Sequence, residues 1–143
     1  MARSARRRTP SPGHAATALV LDGDGLSKAA AGDPRAVAWI VRARELRLPL
    51  VINAVTLTET IRGGGRDALV HLLTKNSRVD QVDAGLAAEA GRLLGRTKRT
   101  DTVDALVATT AIRLGQPTII LTSDPNDLKA LTEGRPHVRV VSV

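Results

Sequence analysis

From residue 17 onward, short apolar runs alternate along this chain with longer stretches of helical period. Residues 17–22 form a compact apolar run with β-branched members, bounded by Gly23 and Gly25. That is the pattern of a strand buried on both faces. Leu50-Val51-Ile52-Asn53 and Thr118-Ile119-Ile120-Leu121-Thr122 repeat it. Between them the period lengthens. Asp33-Pro34 offers an N-cap followed by a first-turn proline, and Val37, Ile40, Val41, Arg44 and Leu48 mark a helical face ending before Pro49. Further helices are predicted over Thr56 to Arg62 (stopped by Gly63-Gly64-Gly65), Asp67 to Thr74, Asp83 to Leu94, Asp101 to Leu114, and from Asp124-Pro125 to Leu131. Residues 77–82 give a short strand and 138–143 a last β-rich segment. Strands separated by helices require crossover connections, so the chain predicts an α/β fold: a three-layer αβα sandwich with a mostly parallel central sheet.

Composition narrows the picture. At 143 residues the chain fits one domain, placed over 17–143. It has no cysteine, which removes disulfides and thiolate metal sites and suits a reducing cytoplasm, the expected location. Trp39 is the only aromatic residue, so the core must be aliphatic and base stacking on aromatic platforms is excluded. No apolar run approaches the ~18 residues of a membrane span. His14, His71 and His137 form no pair with metal-ligand spacing, and the glycine run lacks the Lys-Ser/Thr of a phosphate-binding loop.

The formal charge is +7, from 21 Lys+Arg against 14 Asp+Glu. Residues 1–16 hold Arg3, Arg6, Arg7 and Arg8 with no acid, together with Pro10, Pro12 and Gly13, and read as a basic disordered tail. Removing those four charges from +7 leaves +3 for the remainder.

In a chain this basic the positions of the acids carry more than their number. Asp22 ends the first strand, Glu59 follows the second, and Asp124 follows the 118–122 strand, while Asp101 and Asp104 open a helix. Each has an ordinary reading. Thr56-Leu57-Thr58-Glu59 has the form of a capping box, Asp101 with Asp104 repeats its spacing, Asp124 before Pro125 reads as an N-cap, and Asp22 suits a turn. Taken together they fall at the carboxyl ends of parallel strands, where open α/β sheets bind ligands. Carboxylates gathered there without basic partners repel, and a hard divalent cation, Mg²⁺ or Mn²⁺, removes that penalty. Such an ion lowers the pKa of water and holds a phosphate for attack, so phosphodiester hydrolysis is a natural use. Lys28, Arg62, Arg66, Arg96, Lys98 and Arg99 offer charge for a polyanion.

The blocks Leu19-Val20-Leu21-Asp22, Thr56-Leu57-Thr58-Glu59, Asp101-Thr102-Val103-Asp104-Ala105 and Leu121-Thr122-Ser123-Asp124-Pro125 resemble those of PIN-domain nucleases, most of all the VapC-type toxins of bacterial toxin–antitoxin pairs. The resemblance spans about residues 17–143. It implies a ribonuclease whose acids Asp22, Glu59, Asp104 and Asp124 bind Mg²⁺ or Mn²⁺, with Asp101 as an additional ligand or helper and Thr122 in support. It also implies an RNA substrate, a cognate antitoxin that inserts a basic segment, and a homodimer. Asp24 and the basic tail depart from the family pattern. Two other readings stand beside this one. Asp22-Gly23-Asp24-Gly25 superficially resembles the nucleophile motif of haloacid-dehalogenase-type phosphatases, although Leu26 stands where that motif carries Thr or Val. Alternatively the acids serve only as caps, and the domain binds RNA or protein without catalysis.

Overall fold

The computed structural model describes residues 15–143. The expected tail therefore lies almost entirely outside the described residues; Ala16 already packs against the core. The elements run β1 (Ala18–Leu21), α1 (Gly23–Ala30), α2 (Pro34–Glu45), β2 (Leu50–Asn53), a 3₁₀ turn (Ala54–Thr56), α3 (Leu57–Thr60), α4 (Asp67–Lys75), β3 (Arg78–Asp80), α5 (Ala84–Thr97), α6 (Thr102–Arg113), β4 (Thr118–Thr122), α7 (Pro125–Leu131) and β5 (Val138–Ser142). The five strands make one parallel sheet in the order β3-β2-β1-β4-β5.

The alternation of side chains along the strands builds the layers. Leu19, Leu21, Leu50, Ile52, Ile119 and Leu121 face one way and pack with Leu26, Ala36, Ile40 and Val70 of α1, α2 and α4. Val20, Val51 and Ile120 face the other way, onto Leu93, Val107, Ala108, Leu128 and Leu131 of α5, α6 and α7. Both faces are covered, which is why the strands read as unbroken apolar runs. No helix among the described residues is long and apolar enough to cross a membrane.

Helix starts follow local chemistry. Asp33 accepts from the Arg35 and Ala36 N–H groups at 3.0 Å ahead of Pro34, and Asp83 accepts from Leu86 N–H at 2.8 Å. Two expectations fail in detail. Gly23 and Gly25 do not merely bound β1; they lie in the first turn of α1, which sets off directly from Asp22. The Thr56 capping box does not form: the Thr56 hydroxyl donates to the Asn53 carbonyl at 2.9 Å, and Asn53 accepts from Val55 N–H instead. Glu59 is thereby released from capping duty.

Chain order reverses beside β1, since β2 lies on one side of it and β4 on the other. The carboxyl ends of β1 and β4 therefore frame the crevice in which an open α/β sheet binds ligands.

Candidate active site

Asp22 stands at that crevice, directly after β1, and is 6% exposed. Its carboxylate accepts from Gly25 N–H at 2.7 Å and caps α1. Burial pushes its pKa up to about 6, with the Thr122 hydroxyl and Gly25 N–H pulling down and the charges of Asp24 and Glu59 adding to the rise. Thr122 Oγ1 also accepts from Asp124 N–H at 3.1 Å and lies 3.2 Å from the Asp124 carbonyl. One hydroxyl proton cannot serve both acceptors; the carbonyl contact is long for an O–H donor, and the buried carboxylate is the stronger partner.

Asp104 lies in the first turn of α6. Asp101 caps that helix by accepting from Asp104 N–H at 2.9 Å, so Asp101 has a structural duty while Asp104's own carboxylate makes no hydrogen bond among the described residues. Its pKa rises to about 7, first from burial and then from the charges of Asp101, Asp22, Asp127 and Glu59. Glu59 is raised too, by burial, Asp24 and Asp101, with Arg62 opposing. Asp124 ends the β4 edge in an exposed position and makes no side-chain cap to α7, contrary to its expected role. Asp24 is exposed and accepts from the Ser123 hydroxyl at 2.7 Å, which joins the α1 start to the β4–α7 loop.

The glycines decide how tightly this rim closes. A Cβ on Gly25 would stand 2.5 Å from the Leu121 carbonyl oxygen, a backbone atom of β4. A Cβ on Gly23 would stand 2.7 Å from Glu59 Oε1 and 3.1 Å from Glu59 Cβ. We expect Gly25→Ala to cost roughly 2–3 kcal/mol, because the strand cannot yield. Gly23→Ala should cost roughly 1 kcal/mol or less, since the end of the glutamate side chain can swing aside. Thermal unfolding of both variants checks the order, and equal losses would contradict it.

Sequence reasoning passed over Asn53. It is fully buried at the end of β2, and its amide donates to Thr110 Oγ1 at 2.9 Å, pinning the strand to the helix that carries Asp101 and Asp104. The available signal was an amide closing an otherwise apolar strand.

The basic candidates separate. Lys28 Nζ donates to the Val143 carbonyl at 2.6 Å, which places it in an internal contact. Arg62 donates to the Thr58 and Ile61 carbonyls and, with Arg66, lines a hollow of about 250 Å³ beside Glu59. One wall of that hollow is the triple-glycine segment. Asp67 ties this segment down by accepting from Arg62 and Gly63 N–H at 3.1 and 2.6 Å, contacts that hold its carboxyl below the usual range. Arg96 and Arg99 lie in the opposite helix layer, where Arg99 pairs with Asp127 at 2.8 Å, and Lys98 closes α5 with a left-handed backbone (φ +54°).

The donor set suits a hard cation by chemistry: every candidate is an oxygen ligand, and among the described residues none of Asp22, Asp24, Glu59, Asp101, Asp104 or Asp124 forms an ion pair. In this conformation no three acids or histidines among the described residues are gathered closely enough to hold an ion. Binding one therefore requires rotation of side chains, which the exposed Glu59 and Asp124 permit.

Residues 19–133 match the PIN domain. Three solved structures share the fold. VapBC2 from Rickettsia felis, bound to a DNA fragment from their promoter, aligns with a TM-score of 0.65 at 13% identity over 87% of this chain and 98% of that one. FitAcB from Neisseria gonorrhoeae gives 0.60 at 20% identity over 87% and 96%. A toxin–antitoxin complex from Klebsiella pneumoniae gives 0.64 at 18% identity over 88% and 100%. No curated protein matches at a significant level.

Proposed function

The chain belongs to the PIN-domain family, a family of nucleases, and from that premise we propose that it is a divalent-metal-dependent ribonuclease and the toxin of a toxin–antitoxin pair. One observation carries the reading: Asp22 and Asp104, from different elements, are both pushed toward neutrality by burial and by neighbouring carboxylates, of which Asp127 alone is paired with a basic side chain among the described residues. Such a group is costly in a structural role and useful in a site that gathers a cation. Asp22, Glu59, Asp104 and Asp124 would hold Mg²⁺ or Mn²⁺, with Asp101 in a helping role and Thr122 orienting Asp22. A cation bound there supplies an activated water and neutralises charge on the phosphodiester. The chain's own part is to fix Asp22 through Gly25 N–H, to keep Glu59 against Gly23, and to present arginines to the RNA.

The partners follow from the same electrostatics. An unpaired acidic rim accepts a basic segment, which supports a cognate antitoxin as the natural inhibitor. Leu69 and Leu72 leave α4 with an exposed apolar face suited to the expected homodimer or to that antitoxin. A cytoplasmic location agrees with such a partner. The match of residues 19–133 to the PIN domain favours the nuclease over the phosphatase reading of Asp22-Gly23-Asp24-Gly25.

The test is cleavage of total cellular RNA. We expect degradation with Mn²⁺ and none with excess EDTA, restored when metal is returned. Metal-independent cleavage would overturn the mechanism. Absence of cleavage under all conditions, without any Mn²⁺-induced thermal stabilisation, would favour a non-catalytic binding domain.

A further inference from the structure

Two hollows run together along the seam of α5, α6 and α7. The first, about 470 Å³, has Arg96, Arg99, Glu133 and Arg135 among its lining residues; the second, about 240 Å³, shares Arg96 and Arg135 and includes Glu89 and Arg92. Two acids, Glu133 and Glu89, line the hollows against the four arginines Arg92, Arg96, Arg99 and Arg135. Glu89 is held by Arg113 at 2.8 and 3.2 Å, and Arg99 is paired with Asp127. Arg92, Arg96 and Arg135 are exposed and form no ion pair among the described residues. At one end the groove comes up to the acidic rim, because Arg99 pairs at 2.8 Å with Asp127 in the first turn of α7, the helix that sets off from Asp124. At the other it reaches the turn before β5, at Arg135.

Resting on the ribonuclease reading, we infer that this groove is a track for the phosphodiester backbone of a single RNA strand leaving the acidic rim. The rest of the lining is small or aliphatic, Thr97, Ala130 and Thr109 with Leu93, Leu131 and Ile112, which leaves the guanidiniums as the groups that can recognise an anion. The chain's only aromatic residue, Trp39, packs in the opposite layer, so no base can stack on an aromatic ring here and recognition is through phosphates. The other basic pair, Arg62 and Arg66, lies across the sheet beside Glu59. Cationic surfaces thus flank the rim in both helix layers, and a strand crossing the rim meets positive charge on entering and on leaving.

The test uses the full chain carrying Asp22→Asn, so that binding is read without cleavage. Affinity for a labelled strand of about 20 nucleotides is measured over a range of salt concentrations for Arg96→Ala/Arg135→Ala. A charge-matched control carries Arg42→Ala/Arg44→Ala on α2, and thermal unfolding confirms that both variants fold. Losing two phosphate contacts should weaken binding about tenfold at low salt and reduce the slope of log affinity against log salt by roughly 1.4. The loss should shrink on a tetranucleotide, which is too short to leave the rim. An unchanged affinity and slope, or an equal loss in the α2 control, would overturn the track. So would intact RNA binding accompanied by lost binding of an acidic polypeptide, which would make the groove a protein site. Because binding is measured on a catalytically silent protein, these outcomes stand apart from whether the wild type cuts RNA.

Discussion

Asp22→Asn should lower RNA cleavage by about 10³-fold, on the order of 4 kcal/mol of transition-state stabilisation, and leave the fold intact. Asparagine keeps the shape of the side chain and an oxygen that can still accept from Gly25 N–H at the cap of α1. What it removes is the charge on the most buried acid of the rim. Wild type should gain thermal stability from Mn²⁺ in proportion to site occupancy, and the variant should lose most of that gain. Initial rates on labelled RNA, with melting curves at increasing Mn²⁺, measure both effects. Cleavage within tenfold of wild type would remove Asp22 from the site, whereas a variant that fails to fold would reassign it to capping.

The second large effect concerns Asp104 and runs opposite to intuition: Asp104→Asn should make the metal-free protein more stable. The carboxyl titrates near 7 in the folded chain, against an ordinary value of 3.8. Between those limits the folded state binds more protons than the unfolded one, so stability falls as pH rises. The contribution is fully present below about pH 4 and is lost as pH climbs through 7. Asp22, raised to about 6, adds in the same direction. Asp104 is only half buried, so solvent screening reduces the cost at pH 8 to roughly 1–2 kcal/mol. Asparagine escapes it while leaving the backbone contact to Asp101 unchanged. In EDTA the variant should therefore melt roughly 3–8 °C above wild type at pH 8 and level with it near pH 4.5. In Mn²⁺ the order should reverse, because only wild type retains the ligand. A gap that does not vary with pH would show that burial and neighbouring carboxylates do not raise the Asp104 carboxyl as described.

Much of this molecule is legible in the order of its residues. The runs at 17–22, 50–53 and 118–122 are apolar because helices cover both faces of the sheet, and that pattern survives without any knowledge of packing. Asp33-Pro34 and Asp101 announce helix starts through local hydrogen bonds, which need only neighbouring residues. Capping signals misled where the cap bond did not form, at Thr56 because a different local bond took its hydroxyl. Thr56 turned to the Asn53 carbonyl, and Asp124 has no side-chain cap bond to α7, so Glu59 and Asp124 were left available at the rim. α1 was missed because two glycines in its first turn look like loop residues; they are required by the approach of Glu59 and of the β4 carbonyl, contacts formed by distant segments.

The sequence by itself determined the fold class and the family, since strand burial, helix period and the four acidic blocks are local patterns of residue type and spacing. It also determined that the acids sit at strand and helix ends. Only the tertiary structure decided what each charge is for. It set Asp22 in the core, left the Asp104 carboxylate without a hydrogen-bonding partner among the described residues, used Asp101 as a cap, tied Lys28 to Val143 and paired Arg99 with Asp127. The reason is physical: a charge takes its energy from its surroundings through burial and nearby charges, and those surroundings come from segments far apart in the chain.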